Sequence, residues 1–407
     1  VAVDSGSMPR DGRPEWPATL DVPALVAGGW TPTPFGEFVV KVNSRCDLAC
    51  DYCYVYEMAD QSWRDQPMRM STSTAAWTAH RIAEHAETHG LRSVELILHG
   101  GEPLLAGPDR LCAVVAGVRE AVGGTARVNA RVQTNGVRLD ARSLRAFDEL
   151  DIKVAVSLDG DRAAHDRHRR YANGKGSHDA VARSLALLRG SFPHLFSGLL
   201  CTVDLANDPV TTYEALLGHE PPKMDFLLPL GDWSSPPPGR VRGSARTPYA
   251  DWLVAVFDRW YAAPRKDTEI RLFSEIIQLL LGGRSVNESI GLMPVTVVVI
   301  DTDGAIELSD TVKSLRPDSP PTGLHVSRNT FDEALLLPDA AARQIGERAL
   351  APECRSCRVR SVCGGGYYAH RYDRGRGFAN PSVYCPDLLK LIGHVRKAVA
   401  ADLERFR

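Results

Sequence analysis

Between Glu37 and Pro229, short apolar runs rich in β-branched residues alternate with longer segments whose apolar positions recur every three to four residues. The runs Phe38–Asn43, Val94–Leu98, Val128–Gln133, Lys153–Leu158, Gly198–Val203 and Asp225–Pro229 predict six strands. The segments Thr74–Thr88, Asp109–Val122, Asp140–Glu149, Asp179–Leu188 and Pro209–Leu217 predict the helices between them. Such alternation is the pattern of a parallel sheet with helical crossovers. Six units predict an α/β fold, a partial and open (β/α)6 version of the TIM-like barrel, in which chemistry collects at the carboxyl ends of the strands. A Pro-, Gly- and Ser-rich stretch, Gly231–Ser244, then breaks the pattern and marks a boundary. Beyond it Tyr249–Tyr261 and Phe273–Leu281 predict helices, and Val295–Ile300 and Ala305–Leu308 flank the turn signal Asp303-Gly304. A last helix runs from Asp387 to near Arg405.

A chain of 407 residues exceeds one hydrophobic core. The expected units are an N-terminal extension (1–34), the barrel (35–230), a linker with helices (231–294) and a C-terminal unit (295–407). With 44% hydrophobic and 24% charged residues the chain can bury a sizeable core, and a net charge of -2 gives no case for nucleic acid or an anionic membrane surface. No run approaches the ~20 apolar residues that span a bilayer, so neither kind of partner is expected. The segment Val1–Pro34 lacks a basic start followed by an apolar run, is not a secretory signal, and is set outside the fold. The expected location is cytoplasmic. Nine cysteines, odd in number and clustered, point to metal binding in a reducing compartment.

Cys46-x3-Cys50-x2-Cys53 follows directly on the first predicted strand. Three thiolates on a four-iron cluster leave one iron open for a ligand. A zinc site or a Cys50/Cys53 redox pair are the alternatives, although zinc wants a fourth ligand nearby and a redox pair leaves Cys46 unexplained. Later strands end in Gly100-Gly101-Glu102-Pro103, Gln133-Thr134-Asn135-Gly136 and Ser157-Leu158-Asp159-Gly160, each of which alone reads as a turn. A second group, Cys354-x2-Cys357-x5-Cys363 with Cys385, offers four thiolates that suit iron–sulfur or zinc. Cys112 and Cys201 read as packing, with a hydrogen-atom donor as the functional alternative.

The first spacing, with Tyr52 just before the third cysteine, resembles the signature of the radical S-adenosylmethionine superfamily. The resemblance implies a [4Fe–4S] cluster on Cys46, Cys50 and Cys53 that cleaves S-adenosylmethionine reductively to a 5′-deoxyadenosyl radical, with electrons from a flavodoxin- or ferredoxin-class donor. It implies cofactor contacts at Tyr52, Gly100, Gly101, Glu102, Pro103, Gln133, Asn135, Ser157 and Asp159. The second group resembles the auxiliary-cluster module called SPASM, or twitch-like in shorter form, of radical enzymes that modify peptides. That module commonly carries seven cysteines, whereas here Tyr367 stands four residues after Cys363 and Ser309 stands in the hairpin. The resemblance therefore implies one auxiliary [4Fe–4S] cluster, on Cys354, Cys357, Cys363 and Cys385.

Asp310, after Ser309, corresponds to an aspartate that acts as a base in relatives of the module; a solvated turn carboxylate is the alternative. Cys363–Tyr372 and Asn380–Cys385 resemble the FxsB-type cyclophane-forming maturases, which imply oxidative cross-linking of an aromatic ring carbon to a side-chain carbon in a ribosomal precursor peptide. Thioether formation, epimerisation and formylglycine formation are the other radical outcomes, and a non-catalytic metal scaffold is the competing class. Tyr368, His370 and Arg371 either line a substrate channel or pack around a cluster. Many peptide maturases carry an N-terminal winged-helix domain for the leader; too few residues precede Phe38 for one, so leader recognition is assigned to the barrel and second unit, to a separate protein, or to neither. An extended precursor adding to a strand edge is one route.

Overall fold

A computed structural model describes residues 16–286, 288–315 and 321–405, so the first fifteen residues of the N-terminal extension lie outside it. The six anticipated strands form as β1 (Glu37–Asn43), β2 (Ser93–Gly100), β3 (Arg127–Thr134), β4 (Lys153–Ser157), β5 (Phe196–Thr202) and β6 (Lys223–Leu227), all parallel. Helix α1 (Val22–Ala27) precedes β1; the crossovers are α2 (Thr72–Thr88), α3 (Pro108–Val122), α4 (Ala141–Glu149), α5 (Arg162–His168) with α6 (His178–Ser191), and α7 (Pro209–Leu217). Their starts are marked in the sequence: Ser71, Asp140 and Asp208 accept the backbone N–H of Thr74, Ser143 and Thr211. Helix α5 was not anticipated, because its only apolar residues are Ala163 and Ala164; its signal is the cap Asp161, which accepts the Ala164 N–H.

Along β2 the residues Val94, Leu96 and Leu98 are buried in the core, and along β3 so are Val128, Ala130 and Val132. The intervening positions face the concave side. A parallel sheet covered on both faces is normally apolar on both. Here the inner face carries Glu37, Glu95, Asn129 and Arg131, joined by Asn129 Nδ2 to Glu95 at 2.6 Å and Arg131 to Glu37 at 3.3 Å.

After β6 come α8 (Pro248–Tyr261), β7 (Glu269–Ile270), α9 (Arg271–Leu280) and the hairpin β8 (Val297–Ile300) with β9 (Ile306–Glu307). The sheet runs β7-β6-β5-β4-β3-β2-β1-β8-β9 and does not close. The hairpin thus extends the barrel sheet beside β1, with β8 parallel to it. Short helices α10 (Asp310–Lys313), α11 (Phe331–Leu335), α12 (Pro338–Ala342), α13 (Pro352–Arg355) and α14 (Arg360–Cys363) lead to the long α15 (Cys385–Arg405). Asp387 at the start of α15 accepts the Tyr249 and Ala250 N–H groups and so caps α8. The Gly231–Ser244 stretch is fastened rather than loose: Trp233 Nε1 donates to the Pro381 carbonyl at 2.6 Å and Arg240 Nε to that of Val383 at 3.1 Å. Among the described residues, no helix is long and apolar enough to cross a membrane.

The expectation that residues before Phe35 stand outside the fold is corrected from Trp16 onward. Val22 and Leu25 of α1 bury against Ala341, Ile345 and Ala349, an apolar pairing too short to register as periodicity. Gln344 secures the same segment, accepting the Thr33 N–H and donating to the carbonyls of Thr33 and Val295, each at 2.9 Å. His85 links α2 to β1 and α11: its Nε2 accepts the Phe35 N–H, which leaves the ring proton on Nδ1, 2.8 Å from Asp332 but outside hydrogen-bond angles. That tautomer makes the His85, His89 and Asp332 trio a poor metal site, since Nδ1 would need a free lone pair. Replacing Gln344 by Ala strands three part-buried backbone groups and is expected to lower unfolding free energy by about 1–2 kcal/mol, read as a lower urea midpoint; an unchanged midpoint would show the segment to be unanchored.

Candidate active site

The three cysteines of the first group occupy the loop after β1, at the carboxyl end of the sheet. The loop is held from below by β2: Gly101 N–H donates to the Asn43 carbonyl at 2.8 Å and Glu102 N–H to that of Arg45 at 2.9 Å. This approach explains the paired glycines. A Cβ on Gly100 would sit 2.0 Å from the Asn43 oxygen, and one on Gly101 would sit 2.5 Å from the Arg45 oxygen. Pro103 opens the 3-10 turn that follows.

The residues expected to touch the cofactor meet in pairs. Glu102 is fully buried, its carboxylate accepting from Thr134 Oγ1 (2.7 Å), Asn135 N (2.8 Å) and Leu104 N (2.9 Å). Burial pushes its carboxyl up to about 7 against those three hydrogen bonds. Asn135 in turn donates Nδ2 to Asp47 at 2.9 Å and lies 3.7 Å from Cys46 Sγ. Gln133 donates to Ser157 Oγ at 3.1 Å. Tyr52 donates its hydroxyl to Asp159, which also accepts from Arg169 Nε (2.9 Å) and Thr202 N (3.0 Å), and the guanidinium lies over the Tyr52 ring. Glu102 and Asp159 therefore spend their side chains on bracing the loop. Arg169 gave no signal in sequence beyond its place in an unanticipated helix end.

Burial pushes the Cys46 thiol up to about 12 and the Cys50 thiol up to about 11, and raises Cys53 as well. Thiols so desolvated are neutral until a metal replaces the proton.

Around the second group, burial raises Cys354, Cys363 (to about 12) and Cys385 (to about 11). Gly364, Gly365 and Gly366 are all left-handed, and a Cβ on Gly364 would strike the Gly291 carbonyl at 1.6 Å. Arg371 Nη2 donates to the Gly364 and Gly366 carbonyls, 2.7 Å each. This buried guanidinium has no carboxylate partner among the described residues, and its Nε is unpartnered. A lone buried cation is costly, so the site fits an anionic group held by four thiolates. Tyr368, His370 and Arg371 are all buried, with Tyr368 stacked on Phe378, so they pack rather than line a channel. Cys201 lies in the core and Cys112 packs against it, as expected.

Ser309 and Tyr367, two of the positions where the seven-cysteine module has thiols, lie together: Ser309 Oγ is 2.9 Å from Thr311 Oγ1, itself 2.5 Å from the Tyr367 hydroxyl. Asp310 begins α10 at the barrel mouth and is not a solvated turn carboxylate; its Oδ1 lies 3.2 Å from Lys41 Nζ. Lys41, Tyr54, Asp60, Asp301 and Asp310 line one small cavity there. Lys41 escaped the sequence reading although a lysine inside the run Phe38–Val42 is a visible anomaly. The anticipated sheet edge is largely taken, since Ile306 of β9 donates to the Leu324 carbonyl, Gly304 just before it accepts from the Val326 N–H, and β7 has two residues.

Residues 40–208 match the model of the Radical SAM superfamily. The chain is 21% identical over 351 residues to a cysteine-type anaerobic sulfatase-maturating enzyme of Clostridium novyi, covering 85% of this chain and 91% of that one. It is 30% identical over 165 residues to a serine-type enzyme of Klebsiella aerogenes, about two fifths of each chain (40% and 39%). Among solved structures, anSMEcpe with bound AdoMet and Cp18Cys peptide aligns with a TM-score of 0.76 at 19% identity, over 91% of this chain and 99% of that one. Streptococcus suis SuiB bound to the precursor peptide SuiA aligns with a TM-score of 0.55 at 15% identity, over 89% and 78%. The expected fold is thus borne out, and the superfamily's cofactors are S-adenosylmethionine and a [4Fe–4S] cluster.

His165 braces the Asp159 turn, its Nδ1 3.4 Å from the Asp159 N–H and its Nε2 2.9 Å from Ser177 Oγ. Ser177 gives its own proton to the Arg169 carbonyl, so the ring carries its proton on Nε2 and is neutral. Burial pushes it down to about 4, Asp159 opposing and Arg169 adding. Between the unfolded value of about 6.5 and the folded value, the unfolded chain binds the proton and the folded one does not, so this contribution is lost as pH falls through that window. Urea midpoints should drop from neutral pH toward pH ~5, and a His165→Asn variant, weaker at neutral pH, should show a shallower slope; equal slopes would remove His165 as a source.

Proposed function

We propose that this chain, a member of the radical SAM superfamily, oxidises a ribosomally made peptide by joining an aromatic ring carbon to a side-chain carbon two residues away. The observation that carries the reading is the barrel mouth, where the cysteine loop and Asp310 flank one small cavity. Peptides bound by the solved relatives, Cp18Cys and SuiA, support a peptide substrate. Cys46, Cys50 and Cys53 would hold the cluster that serves S-adenosylmethionine, and Cys354, Cys357, Cys363 and Cys385 an auxiliary [4Fe–4S] cluster. When bound, these groups supply a 5′-deoxyadenosyl radical that takes one substrate hydrogen and a sink for the electron left over.

The chain's own residues do the rest. The Gly100–Pro103 turn and Asn135 hold the cysteine loop against β2 and β3. Tyr52, braced by Asp159 and Arg169, fixes the far side of the loop. Asp310, through Oδ2, accepts the proton that leaves the ring carbon as the new bond forms.

A second reading, formylglycine formation on a sulfatase, draws on the names of the curated relatives.

Mass spectrometry of the short peptide encoded beside this gene, co-expressed with the enzyme, separates the readings. Cross-linking removes a pair of hydrogens and blocks fragmentation across an aromatic three-residue segment, and a Cys46→Ala control leaves the mass unchanged. An aldehyde that reacts with hydroxylamine would favour formylglycine, and an unmodified peptide would count against cross-linking of this precursor. Anaerobically reconstituted protein should contain about eight iron per chain; about four iron with one zinc would replace the auxiliary cluster by a zinc site.

A further inference from the structure

Lys41 is buried on the inner face of β1, where an unpaired ammonium would be expensive. Its Nζ lies 2.8 Å from Asp301 Oδ2 and 3.2 Å from Asp310 Oδ1. Register places it there: β1 pairs with β8 through Val40 and Ile300, so Lys41 and Asp301 are the next residues along adjacent strands. Asp301 is anchored independently by the Thr302 N–H on Oδ1 at 2.7 Å. Asp310 Oδ2 accepts no hydrogen bond among the described residues, and Asp310 lines the cavity.

We propose that Lys41 is the positioning residue of Asp310: its ammonium, shared with Asp301, sets a positive charge against Oδ1 and leaves Oδ2 free for the substrate proton. This rests on the reading of Asp310 as proton acceptor. The charged and titratable groups facing Asp310 from the packed elements support it. On β2, His99 stands beside Lys41 in register, half-buried, with its Nδ1 buried and unpartnered among the described residues. Burial lowers it, Asp310 opposes, and Lys41 lowers it further, so it brings no charge. From the cysteine loop, burial raises the Tyr54 hydroxyl and keeps it neutral. Lys313, on α10 itself, is drawn to Glu307 of β9 at 3.4 Å, and Asp60 adds negative charge across the cavity. Lys41 is therefore the cation in contact with Asp310. For Lys41 itself burial would lower the ammonium, but Asp310 and Asp301 together outweigh it. Two carboxylates share one positive charge, and the closer, Asp301, is the one held low.

The test uses reconstituted holoenzyme with S-adenosylmethionine, dithionite and the precursor peptide encoded beside the gene, and reads product formed per 5′-deoxyadenosine across pH ~6 to ~9. Lys41→Met should still cleave the cofactor. Its product per cleavage should fall about tenfold or more at the acid end and recover at the alkaline end, because the Asp310 carboxyl has lost its cation. Lys41→Arg should restore the wild-type profile. A ratio unchanged at every pH, or reduced by one factor throughout, overturns the proposal. If Asp310→Asn keeps full yield, the proton-acceptor reading itself falls; if only Asp310→Asn loses yield, Lys41 alone is acquitted of the role.

A second measurement needs no substrate. In protein labelled with 13C-carboxyl aspartate, the infrared band lost in Asp310→Asn should titrate at higher pH in Lys41→Met than in wild type, and an unmoved midpoint overturns the proposal. Lys41→Gln takes the place of Lys41→Met if the latter does not fold, with the same expected outcomes.

Discussion

One fully buried carboxylate, Glu102, sets the geometry on which the barrel mouth depends. Its two oxygens gather donors from the turn after β2 and the end of β3, and its backbone N–H reaches the loop after β1. Three successive strand ends are thereby fixed to one another. Burial disfavours the ionised carboxyl, and three hydrogen bonds oppose burial, so the group sits close to balance. The cysteine loop inherits its position from this arrangement, because Asn135, itself held by Glu102, is the residue that reaches Asp47 and Cys46. Paired glycines are the steric condition for it, since any side chain there would meet the β1 backbone.

The same economy recurs around the mouth. Asp159 binds Tyr52, Arg169 and the Thr202 amide, and so braces the loop beside it. The inner face of the sheet carries polar groups at floor and rim, with Glu37, Glu95 and Arg131 below, Val39 and Ile97 between, and Lys41 and His99 above. Paired charges of this kind add little to stability, and their place is explained by what the mouth must hold. Asp310, Asp301 and Lys41 come from a helix start and two strands far apart in sequence, and the sheet order that sets β8 beside β1 unites them.

At the far end, four thiols and three left-handed glycines surround a buried arginine that has no carboxylate partner among the described residues, a setting that suits an anionic group. Where the related module has further cysteines, this chain has a closed set of hydroxyls, Ser309, Thr311 and Tyr367. Hydroxyls bonded to one another satisfy the polar groups left when thiolate ligands are lost. The fold of the solved relatives is retained around that change, while their identity of 19% or less leaves the chemistry to be argued from the site.

The sequence by itself determined the strands, the crossovers and both cysteine groups. Periodicity and caps are local, and the ligand spacing of Cys46, Cys50 and Cys53 lies within eight residues of chain. It also placed the turns at the strand ends, because glycine reports a backbone that a side chain would obstruct. Tertiary structure alone decided what those turns do: that Glu102 and Asp159 face inward as braces, that Ser309 meets Tyr367, and that residues 16–34 pack on α12 and its neighbours. It alone brought Lys41 to Asp310 across 269 positions. Hydrogen bonds and charges act over ångströms in space, and strand order, which one chain's pattern leaves open, determines which distant residues come within that range.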